Sequence, residues 1–397
     1  MRPALGEAVQ LSPSSLRHRA GQLLPQYLRE LAHLVSIDSG THDAEGVDAV
    51  GRWCSARLAA LGFAVEHIAT APVEGRRYGQ VVVARRRGSG TRRVLLFAHL
   101  DTVYPAGTAA ARPFRERDGR AYGPGVCDDK GGALAGIHAA QVLVESGFDS
   151  FGELVLVFTP DEEVGSPASA EILAGIAAGM DAALCLECAR ENGDLVVARK
   201  GVADIGVSVR GRAAHSGVEP ERGRNAAVEA ARILLDLDRL NGRRADLTVN
   251  VGVLTAGERP NIVPGSATLS GEVRAKTAAD LAWALEAIEQ RAAAGTVPGV
   301  TACAQRAAVC PPLERTATRL LFDRARDVGA ELGIAVGGAA TGGVSDANFV
   351  AARGVPVLDG MGPIGGDDHS EAEWLDVASV PDRVALLALL VARVGEA

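Results

Sequence analysis

Apolar residues recur along this chain with two periods, one that fits helices and one that fits strands. Residues 14–36 set Leu24, Leu28, Leu31 and Leu34 on one side of a helix. A second helix over 45–61 stops at Gly62, a residue suited to the left-handed position after a helix. Strand signals follow at 64–68 and 80–84, and then at Val94-Leu95-Leu96-Phe97, a run too short for a helix. A helix over 130–146, a strand over 153–159, a helix over 167–179 and a strand over 182–187 come next. Strands alternating with helices in this way predict an α/β fold, a largely parallel sheet with helices on both faces.

The pattern changes after Lys200. Residues 202–209 alternate as a half-exposed strand, followed by a helix over 224–239, strands over 247–255 and 267–274, a helix over 277–294 and a strand near 298–306. Strand, helix, two strands, helix, strand is the split βαβ plan of a small ferredoxin-like α+β domain. The earlier alternation resumes near 314, with a helix over 315–332, a Gly-rich turn over 341–346, a strand over 355–358 and a terminal helix over 379–395. The expected organisation is one domain in two parts, 1–200 and 313–397, carrying an inserted domain at 201–312. A chain of 397 residues is too long for one ordinary core, which agrees with two domains. The polar, Arg-rich segment 106–121 reads as a surface loop.

Composition narrows the function classes. A formal charge of −8 argues against a nucleic-acid partner. No apolar run approaches the roughly 18 residues of a membrane span, and the N-terminal stretch carries Glu7 and no signal-peptide core, so a cytoplasmic location is expected. Six cysteines in a chain this long are not a disulfide framework. Cys185 and Cys188 fall in a strand-like segment that would point them to opposite faces, which favours core cysteines over a redox pair or a thiolate zinc site. His138 lies on the apolar face of its helix and reads as a packed core histidine.

The candidate chemistry collects at strand ends. The run from Val94 ends in His99, where open α/β sheets place their ligands. Asp101, two residues on, can accept the other ring N–H and fix the tautomer. Glu162 and Glu163 follow the strand over 153–159, and Glu187 ends the next. Asp128 lies in a Gly-rich turn and His369 in Gly365-Gly366-Asp367-Asp368-His369-Ser370. Two His and several carboxylates suit zinc, with manganese or cobalt as substitutes. An Asp can bridge two cations, and two adjacent glutamates can divide metal binding from proton transfer. Each residue alone has an ordinary reading: a helix cap for Asp128, a solvated helix start for Glu162 and Glu163, a loop histidine for His369.

The stretches HLDTVYP, YGPGVCDDKGG, TPDEEVGS, LEC, RAAHSG, NIVPGSATLSGEVR, TGGVSDANF and GGDDHSEAE occur in that order over nearly the whole chain. In these the chain resembles the co-catalytic di-zinc exopeptidase and deacylase family, which includes glutamate carboxypeptidase, aminoacylase, acetylornithine deacetylase and succinyl-diaminopimelate desuccinylase. Its intervals are most similar to the glutamate carboxypeptidase branch. The resemblance implies that Asp128 bridges two zinc ions, one completed by His99 and Glu187, the other by Glu163 and His369. It implies that Asp101 orients His99, that Glu162 is general base and then general acid, and that the peptide bond after Asp128 is cis. It implies further that the inserted domain is a lid that forms a homodimer, that His215 polarises the scissile carbonyl across that dimer, and that Asn261 and Arg274 hold the substrate's carboxylate. Glutamate rather than aspartate at position 187 favours cleavage beside a free C-terminal carboxylate. The implied activity is a glutamate-type carboxypeptidase on a small peptide or N-acyl amino acid. An N-acyl-amino-acid deacylase is the alternative, and a catalytically silent metal-binding protein the remote one. Cys127 before Asp128, and Asp367-Asp368 before His369, depart from the family's pattern.

Overall fold

The computed structural model describes residues 11–396, apart from the side chains of 306–308, so the reading of the first ten residues lies outside it. Contacts divide the chain into two compact units. One runs through Val197 and adds Arg315–Ala340 and the chain from Ser345 on; the other is Ala198–Glu314 with Thr341–Val344.

The first unit is built on a six-stranded sheet: β1 (Ala64–Ile68), β2 (Val81–Arg87), β3 (Arg93–His99), β4 (Glu153–Thr159), β5 (Ala182–Cys185) and β6 (Val357–Leu358), in the order β1-β2-β4-β3-β5-β6. The pairs β3–β4, β3–β5 and β5–β6 are parallel. Val94–Phe97 of β3 and Leu154–Phe158 of β4 are buried, which is why both read as unbroken apolar runs. The remaining pairs, β1–β2 and β2–β4, are antiparallel, so the sheet is mostly parallel, as expected, with an antiparallel edge. No helix lies between β1 and β2, and a parallel pair would need a long crossover.

Helix α1 (Pro13–Val35) packs on other helices, while α2 (Ala44–Ala60), α3 (Lys130–Glu145), α4 (Arg315–Leu332) and α5 (Ser379–Gly395) pack on the sheet. α1, α3 and α5 pack on one another. α5 is buried almost all round from Val384 to Ala392, as an apolar helix inside a large domain should be. The Tyr27 hydroxyl of α1 donates to the Gly131 carbonyl at the start of α3 (2.7 Å), pinning the end of α3 that follows Asp128. His138 is buried in α3 and bonded to Glu30 of α1 (2.8 Å), a core histidine as its apolar face implied.

Segment 106–121 is not a loop throughout. It holds a helical turn, Thr108–Ala111, and a hairpin of Arg115–Arg117 and Arg120–Tyr122. The hairpin pairs with Trp374–Asp376, which in turn pairs with Gly365–Gly366. Three-residue strands are too short to show a period, and here a remote partner fixes the pairing.

The second unit is an antiparallel sheet in the order Thr248–Ala256, Ser266–Ala275, Gly201–Arg210, Thr301–Cys310. Helices Ala226–Asp238 and Ala278–Ala293 pack on it and on each other. Gly201–Arg210 alternates buried and less buried positions, so Ile205, Val207 and Val209 enter a core with Ile233, Leu269 and Leu285. Asn225 and Thr277 cap the two helices by accepting backbone N–H groups. Among the described residues no helix is long and apolar enough to cross a membrane.

Candidate metal centre

Because β3, β4 and β5 run parallel, their carboxyl ends lie along one edge of the sheet. His99 ends β3, Glu162 and Glu163 follow β4, and Glu187 follows β5. The turn before α3 adds Asp128, and the turn between Gly365–Gly366 and Trp374–Asp376 adds His369. Gly132 permits this convergence: a Cβ there would sit 2.0 Å from the Leu186 carbonyl oxygen, so only glycine lets α3 begin against the Glu187 segment.

Two groups share Asp128. His99 Nε2 lies 2.9 Å from Asp128 Oδ1 and 3.6 Å from Glu187 Oε1. His369 Nε2 lies 3.1 Å from Asp128 Oδ2 and 3.0 Å from Glu163 Oε2. Within each triad the potential ligand atoms fall within 4.8 Å of one another, so each could hold a cation, with one oxygen of Asp128 turned to each. The Asp128–Asp129 peptide bond is cis.

Asp101 is fully buried and ties three segments together. It lies 3.3 Å from His99 Nδ1, accepts the backbone N–H groups of Glu162 (3.1 Å) and Glu163 (3.2 Å), and accepts the Thr41 hydroxyl (2.7 Å). It therefore orients both the ring of His99 and the turn carrying the two glutamates. Burial raises the Glu162 carboxyl well above the ordinary range, and the charges of Glu187, Asp346 and Glu163 add to that while His99 opposes it. Burial would also raise Asp128, but hydrogen bonds from His369 and His99 outweigh it and hold that carboxyl low. Hydrogen bonds to Asp128 and Glu163 push His369 up to about 11. Three carboxylates thus compete for the protons of two imidazoles, and cations at the two triads would take the place of those protons. The donor set, imidazole nitrogen and carboxylate oxygen, fits zinc, cobalt or manganese.

Two residues that support this site were missed in the sequence. Glu373 is buried and accepts the N–H groups of Gly125 (2.9 Å), Cys127 (2.9 Å) and Asp128 (3.1 Å) and the Tyr104 hydroxyl (2.9 Å). It stands in the GGDDHSEAE stretch, four residues past His369, which was its only signal. Asp346 accepts the hydroxyls of Thr159 (2.6 Å) and Ser166 (2.5 Å), bracketing the turn that holds Glu162 and Glu163. The strand holding Cys185 ends at that residue, and both Cys185 and Cys188 are buried.

The other candidates lie in the second unit. His215 is exposed, in a two-residue strand paired with Ile262–Val263. Its Nδ1 accepts N–H groups from Gly217 (3.2 Å) and Val218 (3.1 Å), which leaves the proton of the neutral ring on Nε2. Asn261 is brought beside it, since its carbonyl accepts the N–H of Ser216 (3.0 Å). Arg274 is engaged: Nε and Nη2 bind Glu272 (2.8 and 3.1 Å), and Nη1 donates to the Gly342 carbonyl (3.1 Å).

Residues 95–393 match the model of peptidase family M20/M25/M40, and the chain belongs to that family. It is a metal-dependent hydrolase of the metallopeptidase and amidohydrolase class, whose members are typically di-metal enzymes. The chain is 34% identical over 378 residues to carboxypeptidase G2 of Pseudomonas sp. (strain RS-16), covering 94% of this chain and 90% of that one. Acetylornithine deacetylase of Myxococcus xanthus is 33% identical over 259 residues, 61% of this chain and 65% of its own length. The fold is shared with an aminopeptidase from Bacillus cereus ATCC 10987 at a TM-score of 0.76 and 24% identity, covering 94% of this chain and 98% of that one.

Proposed function

We propose that this enzyme is a di-zinc carboxypeptidase that cleaves an amide bond beside a free C-terminal carboxylate and releases glutamate or a similar residue. The observation that carries the reading is the pair of triads sharing Asp128, with the Glu162 carboxyl at their edge. Similarity to carboxypeptidase G2 over 94% of the chain supports the carboxypeptidase branch. His99, Asp128 and Glu187 would hold one cation, and Asp128, Glu163 and His369 the other. Cations bound there supply Lewis acidity and a water of lowered pKa.

The chain's own residues do the rest. Glu162 takes the proton of the attacking water and hands it to the leaving amine, and burial, which raises its carboxyl, makes it a stronger base than an ordinary glutamate. Asp101 fixes the His99 ring and the Glu162 backbone together. His215, with its proton on Nε2, is a donor for the oxyanion that forms at the scissile carbonyl. Arg274 and Asn261 receive the substrate's carboxylate, with Glu272 holding the guanidinium in place beforehand. A cavity of about 450 Å³, lined by Thr41, Tyr104, Glu163 and Val164 among others, can take up the acyl side. The inserted unit is the lid and the homodimer contact. Val253 and Leu254, exposed on the edge strand Thr248–Ala256, support pairing with a second copy, and sedimentation of wild type against V253K/L254K tests that contact.

The function is tested by assaying zinc-loaded protein on dipeptides ending in glutamate, N-acyl amino acids, and the same compounds with the C-terminus amidated. Turnover of the free acids with poor turnover of the amides is expected. Equal turnover of acid and amide would refute carboxylate recognition. The acetylornithine deacetylase similarity favours the second reading, a deacylase, and preference for short N-acyl groups over peptides would establish it.

A further inference from the structure

We propose that Cys127, Cys188 and Asp368 form an additional metal site, for one thiophilic divalent cation such as zinc or cadmium, beside the His/carboxylate centre and sharing no donor with it. The two Sγ atoms and a carboxylate oxygen all lie within 4.8 Å of one another. Ligand atoms around one tetrahedral zinc stand roughly 3.5–3.8 Å apart, given bonds of about 2.0–2.3 Å, so small side-chain adjustments close the site. Two sulfurs with one oxygen form a softer donor set than the neighbouring triads, and soft thiolates select zinc-like cations.

The donors are held without the cation. Cys127 is buried, and its backbone N–H is fixed by Glu373 (2.9 Å). Its sulfur occupies space that only a glycine at 365 leaves open, since a Cβ there would lie 2.2 Å from Sγ. Cys188 follows Glu187, whose carbonyl accepts the N–H of Gly362 (2.9 Å). Both cysteines are buried, while Asp368 is exposed. A cavity of about 180 Å³, lined by Cys188, Glu191, Asp367 and Asp368 among others, opens on this side. It has room for a water as fourth ligand, which needs about 30 Å³, and it gives the cation a way in. Each donor is the chain neighbour of a residue in the catalytic cluster: Cys127 of Asp128, Cys188 of Glu187, Asp368 of His369. The fold that brings those three together brings these three together too.

The test is a cadmium titration of the reduced protein, followed by ultraviolet absorption and by metal analysis. The proposed catalytic ligands include no sulfur, and Cys303, the exposed cysteine, is removed by C303S in the parent protein and in every variant titrated, so a thiolate-to-cadmium charge-transfer band reports on the new site. The expected result is one equivalent of cadmium bound with that band, beyond the metal held elsewhere. C127S/C188S should lose both the band and that equivalent while keeping the remainder. D368N should keep the band but bind that equivalent about 10-fold more weakly or worse. Circular dichroism confirms the variants' fold, and C188S alone replaces the double variant if the latter does not fold. Absence of the band in the folded, reduced C303S parent, or its persistence when C127S/C188S is added to that parent, would each overturn the proposal. Failure of the other equivalents to bind would count against the di-metal reading and leave the band unaffected.

Discussion

Glu373 Oε1 accepts the backbone N–H of Asp128 at 3.1 Å, so a carboxylate outside both metal triads holds the residue they share. The same oxygen accepts the Cys127 N–H, and the other oxygen accepts Gly125 and Tyr104. The Tyr104 oxygen also lies 2.8 Å from the Ser370 carbonyl, next to His369, so its one proton is shared between the two acceptors. One buried carboxylate therefore links the turn of Asp128 to the turn of His369.

A glutamine at 373 cannot serve four donors, because its amide nitrogen would face N–H or O–H groups. E373Q is expected to bind metal about 10–100-fold more weakly, the usual cost of losing a group that orients metal ligands. Metal content after dialysis checks this, and full retention by a folded E373Q would show that the turn holds its shape unaided.

Glu162 and Glu163 are adjacent but differently placed. Glu163 faces His369 at 3.0 Å, whereas the Glu162 carboxyl feels His99, Glu187 and Asp346. E162Q should retain both metals and bind substrate yet lose at least about 10²–10⁴-fold in kcat. E163Q should lose affinity for one metal and recover part of its activity at high zinc. The reverse pattern in metal analysis would move the proton shuttle to Glu163.

Removing metal should destabilise the fold as well as abolish activity. Free cation at a hundred times its Kd stabilises the folded state by about 2.7 kcal/mol per site. Chelated protein is thus expected to melt at a lower temperature and to recover on adding zinc. A melting temperature indifferent to chelator, in protein that measurably loses its metal, would separate the metals from stability.

Glu30 of α1 belongs to neither metal triad and gives a pH signature of its own. Burial raises its carboxyl, but hydrogen bonds from His138 and Gln26 and the charges of His138 and Arg57 outweigh that and lower it. A lowered carboxyl stabilises the folded chain above the unfolded pKa, about 4.3 for glutamate. That contribution is lost as pH falls through the lower folded value. E30Q should cost about 1–3 kcal/mol at pH 7, and the gap to wild type should close on acidification below about pH 4.3. Denaturant midpoints at several pH values measure it; a gap constant with pH would assign the loss to packing.

Some of this protein is written in local pattern. Glu153–Thr159, Arg315–Leu332 and Ser379–Gly395 have the ends their apolar periods imply, because burial of one face or of both leaves a trace every second or every third to fourth residue. His99, Glu162, Glu163 and Glu187 stand out for the same reason: they are polar groups at the ends of apolar runs. Arg274 and its partner Glu272 are two apart on one strand and so share a face, a relation the period contains. Tertiary structure alone decides which segments meet. It inserts β4 between β2 and β3, sets Trp374–Asp376 against Arg120–Tyr122, and turns Glu373 under Asp128. It also places Cys188 against Cys127, sixty-one residues earlier in the chain. A period records that a face is covered but not by what, since the covering groups lie tens to hundreds of residues away and only the closed fold brings them within bonding distance.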